Sequence, residues 1–215
     1  MKITYGIVSI MLGLAWTVAA VEPLKPVVLP VPQMDKGRPL MQVLKDRQSR
    51  RDISPDKKLS LQELSNLLWA ACGINRPDSG KRTAPTASNL QEIDVYAATA
   101  EGVFLYDAKG HKLDPVLQED VRQAAGKQSF VQMAPVVLVF VVDEARMGRR
   151  SESDRVFYAA TDTGFVSQNV YLYCASEGLA TVVIGMVDKP ALAAKMKLRP
   201  GQKVILTQPV GYPAK

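Results

Sequence analysis

The sequence predicts an α+β fold in which helices cover a β-sheet. Val136 to Val142 is an uninterrupted apolar run of strand length, typical of a central strand buried on both faces. Two segments, Ser60 to Gly73 and Ser153 to Gly178, carry helical patterns. Because strands and helices mix without strict alternation along the chain, the pattern favours an α+β class over a regularly alternating α/β fold.

The N-terminal residues 1–20 are expected to be a signal peptide. Lys2 supplies a short positive region, Gly6 to Val18 is largely apolar, and Val18-Ala19-Ala20 resembles a cleavage site. The apolar run is short for a membrane span, which needs about 20 residues. We therefore expect a periplasmic or secreted protein without a stable membrane span in the mature chain. An uncleaved N-terminal membrane anchor is the alternative.

Residues 21–39 contain five prolines and a glycine and are expected to form a linker or an extended arm. Such an arm is either disordered or wraps a partner subunit. The remaining residues, 40–215, suffice for one domain with its own core. This domain begins with a short helix from Arg38 to Asp46, which has Leu40, Val43 and Leu44 on one face.

The second helix has the clearest boundaries, because Ser60 and Glu63 form a capping box and Gly73 supplies a stop. The central strand, Val136 to Val142, and a long helix, Ser153 to Gly178, follow later in the chain. Gly164 lies within this helix and is unfavourable for helix stability. Alternating and apolar patterns with turn residues between them predict the other elements. These are strands at Ile93–Thr99, Val103–Tyr106 and a short one ending near Leu113, a helix at Leu117–Gly126, a strand at Thr181–Ile184, a helix at Lys189–Met196 and a last strand at Val204–Gln208.

Composition narrows the possible functions. The chain is 47% hydrophobic and 22% charged, as in an average globular protein, and its net charge of +6 suits an anionic ligand or membrane face. Nucleic acid is a weak partner, because no basic helix is present. Cys72 and Cys174 lie within apolar helical patterns, which favours two buried thiols over a disulfide. Together with the single His111 they are too few for a metal site.

Several enzyme classes lack their signatures in this chain. No G-x-S-x-G turn is present, and His111 lies in a polar turn where a solvated side chain is expected. G-x-G-x-x-G and Walker sequences are also absent, which removes the support for a Rossmann site or a P-loop. No catalytic side chain is nominated.

Three separated segments carry groups that suit a flat, anionic ligand. Arg50 and Arg51 can hold a phosphate through charge-assisted bonds. The segment Pro85-Thr86-Ala87-Ser88-Asn89 offers hydroxyl and amide groups before a strand. Ile184 and Gly185 end a strand, where a glycine allows a ligand to approach the backbone. Each has a simpler interpretation, namely a solvated charge cluster, an ordinary turn or a strand end.

In order and spacing, these segments resemble the FMN-dependent nitroreductase family, nearest its branch of azoline (thiazole/oxazole) dehydrogenases. The resemblance extends from Leu44 to Pro213. The motifs that carry it are SRRDIS at 49–54, LSLQELSNLLWAACGIN at 59–75, RTAPTASNLQEIDVY at 82–96, GVFLYD at 102–107, the long helix with Asp162, Gly164, Gln168 and Asn169, GLATVVIG at 178–185 and VGYP at 210–213.

The resemblance implies a mixed sheet flanked by helices in a single, homodimeric domain with FMN at the subunit interface. It implies that Arg50 and Arg51 bind the FMN phosphate. Pro85, Thr86, Ala87 and Asn89 would lie along the ring and ribityl chain, and the N–H groups of Ile184 and Gly185 would face the N5/O4 edge. The implied activity is ping-pong hydride transfer through flavin N5, with an unknown small-molecule or peptide substrate.

A second function class stays open. Asp52 and Ser54 stand where this family usually has a serine and a basic residue, and many relatives continue beyond the position of Lys215 with another phosphate-binding residue. A carboxylate repels a phosphate, so these differences favour the alternative that the fold is kept without flavin, as a binding or interaction module.

Overall fold

The computed structural model describes residues 22–214, which form a seven-stranded sheet with helices on both faces. The predicted signal peptide lies outside these residues. The strands are β1 (Val27–Val28), β2 (Ile74–Arg76), β3 (Lys81–Arg82), β4 (Ile93–Ala98), β5 (Val103–Asp107), β6 (Lys112–Leu117), β7 (Val136–Asp143), β8 (Ala180–Thr181) and β9 (Gln202–Gly211). The helices are α1 (Leu40–Asp46), α2 (Leu61–Cys72), α3 (Ser129–Met133), α4 (Glu152–Glu177) and α5 (Lys189–Lys195).

The main sheet has the order β1-β6-β5-β4-β7-β9-β8, and β2 and β3 form a separate hairpin. β7 lies at its centre, where Ile93 of β4 pairs with Val142 and Val210 of β9 pairs with Val136. Among the described residues, each ladder of the sheet is antiparallel. The predicted α+β class, with one sheet flanked by helices in a single domain, is confirmed.

The side chains of β7 alternate between two hydrophobic layers because successive residues of a strand point to opposite faces. All of its residues are buried, as the apolar run predicted. Leu138 and Phe140 pack in the layer that contains Leu67 of α2 and Val170 of α4. Val139 and the other β7 residues that point to the same face pack in the layer that α3 and α5 cover. The fold thus rests on one central strand that two helical layers share.

The long helices begin and end as their cap residues dictate. The α2 capping box is confirmed, since Ser60 Oγ accepts from Glu63 N at 3.2 Å and Glu63 Oε2 accepts from Ser60 N at 2.7 Å. α4 begins after Ser151, whose side chain accepts from Asp154 N, and ends at Gly178 with φ +71°. This left-handed conformation favours glycine, which explains where the predicted long helix stops.

The proline-rich segment packs on its own chain. Val27 and Val28 pair with β6, and Leu29 is buried. Pro30 O accepts a hydrogen bond from Ser65 Oγ of α2 at 2.5 Å. Five prolines remove backbone donors from this stretch, so that it adds only a two-residue strand to the edge of the sheet.

Two sequence predictions are wrong. Leu117 to Gly126 is not a helix, because β6 continues to Leu117 beside β5 and only a 3₁₀ turn at Arg122–Ala125 follows. His111 is not a solvated side chain, because both ring nitrogens are engaged. Its Nδ1 lies 2.9 Å from Tyr106 Oη, and its Nε2 lies 2.8 Å from Ser65 Oγ.

The prediction for the cysteines is confirmed. Cys72 and Cys174 are both buried and unpaired. Burial raises the pKa of the Cys72 thiol to about 11 and also raises the pKa of Cys174, because a thiolate is poorly solvated in an apolar core. Both residues therefore act as small core side chains.

Candidate functional site

The basic segment after α1 runs between β8 and the end of the chain. Arg47 leaves the helix with ψ 120°, which extends the backbone. Arg50 N then donates to Thr181 O at 2.9 Å, and Ser54 N donates to Tyr212 O at 2.8 Å. These bonds hold the segment along the edge of the sheet.

Within this segment, Arg50 pairs with Asp52. Arg50 Nε lies 3.2 Å from Asp52 Oδ1, and Arg50 Nη2 lies 2.6 Å from Oδ2. The hydrogen bond from Arg50 lowers the pKa of Asp52, so the carboxylate stays ionised and occupies the guanidinium. In the monomer Arg50 is thus paired with Asp52, whereas the resemblance assigned it to a phosphate. Arg51 is exposed and makes no side-chain hydrogen bond or ion pair within residues 22–214.

Two residues that the sequence analysis missed contact the same side chain of α4. Ser49 Oγ lies 2.9 Å from Tyr171 Oη, and the Arg47 guanidinium lies 5.2 Å from the centre of the Tyr171 ring. Arg47, Ser49 and Arg51 are spaced two apart in the sequence, whereas Arg50 turns to Asp52. Period-two spacing is the signal that could have identified this set, since alternate residues of an extended chain share a side.

The predicted strand end at Ile184 and Gly185 lies beside β9. Ile184 N donates to Thr207 O at 2.7 Å and is therefore not available to a ligand, which corrects the expectation for this N–H group. The Gly185 N–H makes no hydrogen bond with any of residues 22–214, and the glycine is exposed. A Cβ placed on Gly185 would lie 3.8 Å from Leu206 Cδ2, with no nearer atom outside its chain neighbours, so the surface above it is open.

Arg50 and Gly185 lie along one edge of the sheet. Thr181, which holds Arg50, pairs with Val210, and Ile184 pairs with Thr207 in the same register. Four residues of extended chain span roughly 13 Å. Tyr171 connects the two positions, because its Oη also accepts from Val183 N at 2.9 Å. This edge of the sheet therefore carries the basic segment at one end and the unpaired Gly185 N–H at the other. Their separation suits the two ends of one flat ligand.

The predicted loop residues Pro85, Thr86, Ala87 and Asn89 lie on another part of the sheet, just before β4. Ala87 N donates to Asp162 Oδ2 of α4 at 2.8 Å. Arg150 Nη2 lies 3.0 Å from Ser88 Oγ. Pro85 and Asn89 are exposed, so the loop presents a polar amide and a proline ring to solvent.

One chain does not bring this loop next to Gly185. β4 is three positions from β8 in the sheet order, which corresponds to roughly 14 Å at ordinary strand spacing. The contacts along α4 agree, because Asp162 holds the loop and Tyr171 holds the basic segment, nine residues or roughly 13 Å apart. The predicted site residues therefore form two groups in the monomer.

α4 exposes apolar side chains near these groups, and Phe165 lies between Asp162 and Tyr171 along the helix. Val156 is 64% exposed, Phe157 62% and Phe165 43%. Gly164 lies beside Phe165, and no atom outside the helix backbone lies within 4 Å of a Cβ placed there. Exposed aromatic residues around a flat position on a long helix are typical of a protein contact surface.

Other site types are not supported by the described part of the chain. No group of three or more His, Cys, Asp or Glu side chains in it is placed to hold a metal ion. None of its helices is both long and apolar enough to cross a membrane.

Comparison with known proteins agrees with this fold. The model of the nitroreductase family matches residues 44–212. The Methanocaldococcus jannaschii protein MJ1384, which bears a nitroreductase name, is 33% identical over 183 residues, covering 80% of this chain and 90% of its own. A Ralstonia eutropha crystal structure, also named a nitroreductase, has a TM-score of 0.85 and 40% identity, covering 88% of this chain and 90% of that one.

A more distant structure shares the fold. The Vibrio harveyi NADPH:FMN oxidoreductase has a TM-score of 0.61 and 19% identity, covering 82% of this chain and 69% of that one. The family match extends over most of the described residues and includes the basic segment, the loop before β4 and the Gly185 edge. The chain belongs to the nitroreductase family.

Proposed function

We propose that this protein is an FMN-dependent oxidoreductase whose substrate is unknown. The observation that carries the proposal is the edge of the sheet, where Arg51 and the Gly185 N–H are both unpaired among the described residues. A cation suits a phosphate, and a backbone donor suits the polar edge of a flavin ring. The donor set therefore fits FMN, which the Vibrio harveyi relative names as its substrate or cofactor.

We assign the phosphate to Arg47, Ser49 and Arg51 instead of Arg50. Arg47 and Ser49 are held by Tyr171, and Arg51 follows at the same spacing. Asp52 forms an ion pair with Arg50, so the negative charge of Asp52 is partly neutralised. This pairing weakens the sequence-based argument that Asp52 prevents flavin binding.

The proposed chemistry belongs to the cofactor. When bound, FMN would supply a two-electron carrier able to accept hydride at N5 from one substrate and to pass it to a second, as in a ping-pong cycle. The protein's part is to hold the phosphate, to donate the Gly185 N–H to the ring edge and to leave one side of the ring open. No side chain of the chain is assigned as acid or base.

The proposed active form is a homodimer. The loop residues Pro85, Thr86, Ala87 and Asn89 lie roughly 13 Å along α4 from the basic segment, with the exposed Phe165 between them. A second copy that covers this apolar face would supply its own loop to the ligand. Ile184 then contributes to the site through its position beside Gly185 and not through its N–H.

We also propose export, on the strength of the signal-like residues 1–20. Cell fractionation and the mass of the mature protein test this proposal, and a purified chain that still begins at Met1 in the cytosolic fraction contradicts it. Because nicotinamide cofactors are scarce outside the cytoplasm, a substrate undergoing oxidation or a redox protein would then be the hydride donor.

The visible absorption spectrum of the purified protein tests the cofactor directly. We expect a flavin spectrum, or the uptake of added FMN by the colourless protein, with released FMN identified by its mass. A colourless protein that takes up no FMN overturns the proposal and leaves the flavin-free binding module as the interpretation.

A further inference from the structure

Two carboxyl groups meet under the loop that precedes β4. Glu92 is fully buried and Asp162 is 2% exposed. Neither carboxyl oxygen of Glu92 has a hydrogen-bond donor within residues 22–214. Asp162 Oδ2, in contrast, accepts from Ala87 N at 2.8 Å. Glu92 is therefore an unpartnered polar side chain, and Asp162, which holds the loop, is the carboxyl group that acts on it.

The loop needs this support because its backbone is strained. Ser88, Asn89 and Gln91 have φ values of 58°, 54° and 51°. Residues with a Cβ are uncommon in this left-handed region and persist only where surrounding contacts determine the conformation. The Ala87–Asp162 hydrogen bond is one such contact. A second is the bond of 2.9 Å from Gln91 N to Thr86 Oγ1.

We propose that Glu92 is a positioning residue: when protonated it donates a hydrogen bond to Asp162 and so fixes the carboxylate that holds the Ala87 N–H. Two ionised carboxylates side by side present only acceptors and repel each other, so one proton supplies the missing donor. Burial, followed by the interaction with the Asp162 carboxyl group, raises the pKa of Glu92 to about 7. The support for the loop is therefore lost as pH rises through neutrality.

The charged groups around Glu92 come from three elements. Asp162 belongs to α4. Arg150, which precedes α4, favours the ionised form of Glu92 but is also held by Ser88 Oγ and by the Tyr158 ring, 4.4 Å away. Arg146, in the 3₁₀ turn after β7, donates to Glu92 O at 3.1 Å and pairs with Asp94 and Asp143. Arg150 is thus the cation that acts on the Glu92 carboxyl group, whereas Arg146 contacts only the Glu92 backbone.

When Glu92 ionises, Arg150 is the group that can turn toward the pair. It would then leave Ser88, while repulsion moves Asp162 relative to Ala87. Both changes release the strained loop. The idea that this loop contacts a ligand rests on the proposed function. The contacts that lead from Glu92 through Asp162 to Ala87 are independent of it.

Amide hydrogen exchange of the peptide that covers residues 85–91 tests the proposal without any flavin. Exchange rates are measured on both sides of pH 7 and divided by those of the unstructured peptide. In the unsubstituted protein we expect protection to fall by about tenfold as pH rises, the effect of losing a hydrogen bond to a charged group. Protection that does not change with pH overturns the proposal.

Two variants and a control identify the titrating group. Glu92→Gln carries an amide donor at every pH and should keep the loop protected throughout. Asp162→Asn removes the neighbouring charge, and its amide can donate to Glu92, so the step should vanish there too. Glu119→Gln, which changes an exposed glutamate paired with Lys195, should behave as the unsubstituted protein does. A step that persists in either of the first two variants contradicts the proposal.

FMN titration of the same proteins gives a separate result. If protection of the loop falls with rising pH and no FMN binds, the positioning role of Glu92 stands and the proposed function fails. If FMN binds and the step is absent, the proposed function stands and the role of Glu92 is rejected.

Discussion

Arg50 and Asp52 form a two-bond ion pair in which both guanidinium contacts, at 2.6 and 3.2 Å, go to a carboxylate two residues away. The pair lies at the surface, where such interactions contribute little to folding. Its importance is that it occupies Arg50. A phosphate that approaches this segment meets Arg51, an exposed guanidinium that has no ion pair within residues 22–214.

This difference between neighbouring arginines gives the first prediction. Arg51→Ala should weaken FMN binding by about 10- to 100-fold, which corresponds to about 1.5–3 kcal/mol for a charge-assisted hydrogen bond. Arg50→Ala is the matched control and should change the Kd by less than about threefold. Fluorescence titration with FMN measures both variants. Riboflavin, which lacks the phosphate, should bind equally to both, and a similar loss of FMN affinity in the two variants contradicts the assignment.

The second prediction concerns Tyr171, whose hydroxyl contacts both Ser49 Oγ and Val183 N at 2.9 Å. Tyr171→Phe leaves the Val183 N–H without its acceptor, and the free energy of unfolding should fall by about 1–3 kcal/mol. Urea denaturation measures this loss. Tyr158→Phe, which keeps the ring beside Arg150, should stay within about 0.5 kcal/mol of the original value. Equal stability of the two variants would show that the Tyr171 hydroxyl is not a structural connection.

The third prediction tests the exposed face of α4. Phe165→Glu introduces a charge at the centre of the proposed contact surface and should convert a dimer into a monomer, measured by light scattering after gel filtration. Val116→Glu alters a residue of β6 with almost the same exposure, 42% against 43%, and should leave the dimer intact. Monomeric Phe165→Glu should also bind FMN more weakly. If it retains full affinity, the loop of a second copy is not part of the site.

The fourth prediction is a pH dependence of stability. The pKa of Glu92 is raised from 4.5 to about 7 in the folded protein, so the folded state binds more protons than the unfolded state in this interval. The free energy of unfolding should therefore decrease as pH rises from 4.5 to about 7, by at most about 3 kcal/mol from this group. Glu92→Gln should remove that decrease. Parallel curves for the two proteins would rule out Glu92 as its source.

Local patterns were sufficient to predict the main elements of the fold. The apolar run of β7 and the Ser60–Glu63 capping box each depend on neighbouring residues, and both are confirmed. The helix predicted from Leu117 is wrong because pairing with β5 extends β6 through this residue. Such pairing joins distant parts of the chain and leaves little local signal.

The sequence indicates the segments of the candidate site but not the contacts that single residues make. Arg50 and Arg51 look alike in a sequence, and only the side-chain geometry shows which one Asp52 occupies. The prediction that the Ile184 N–H faces a ligand is wrong for a similar reason, since the pairing of Ile184 with Thr207 depends on strand register. His111 sits in a polar turn, yet the proline-rich segment and α2 close over it.

The pairing of Val27 and Val28 with β6 has a consequence for solubility. Without that short strand, β6 would end the sheet with a row of open backbone groups, which is a template for association with other chains. The two-residue strand covers part of this row, and the prolines at 26 and 30, which lack an N–H, limit further strand addition. We therefore expect residues 22–39 to limit aggregation: a chain shortened to begin at residue 40 should precipitate at concentrations where the longer chain stays in solution.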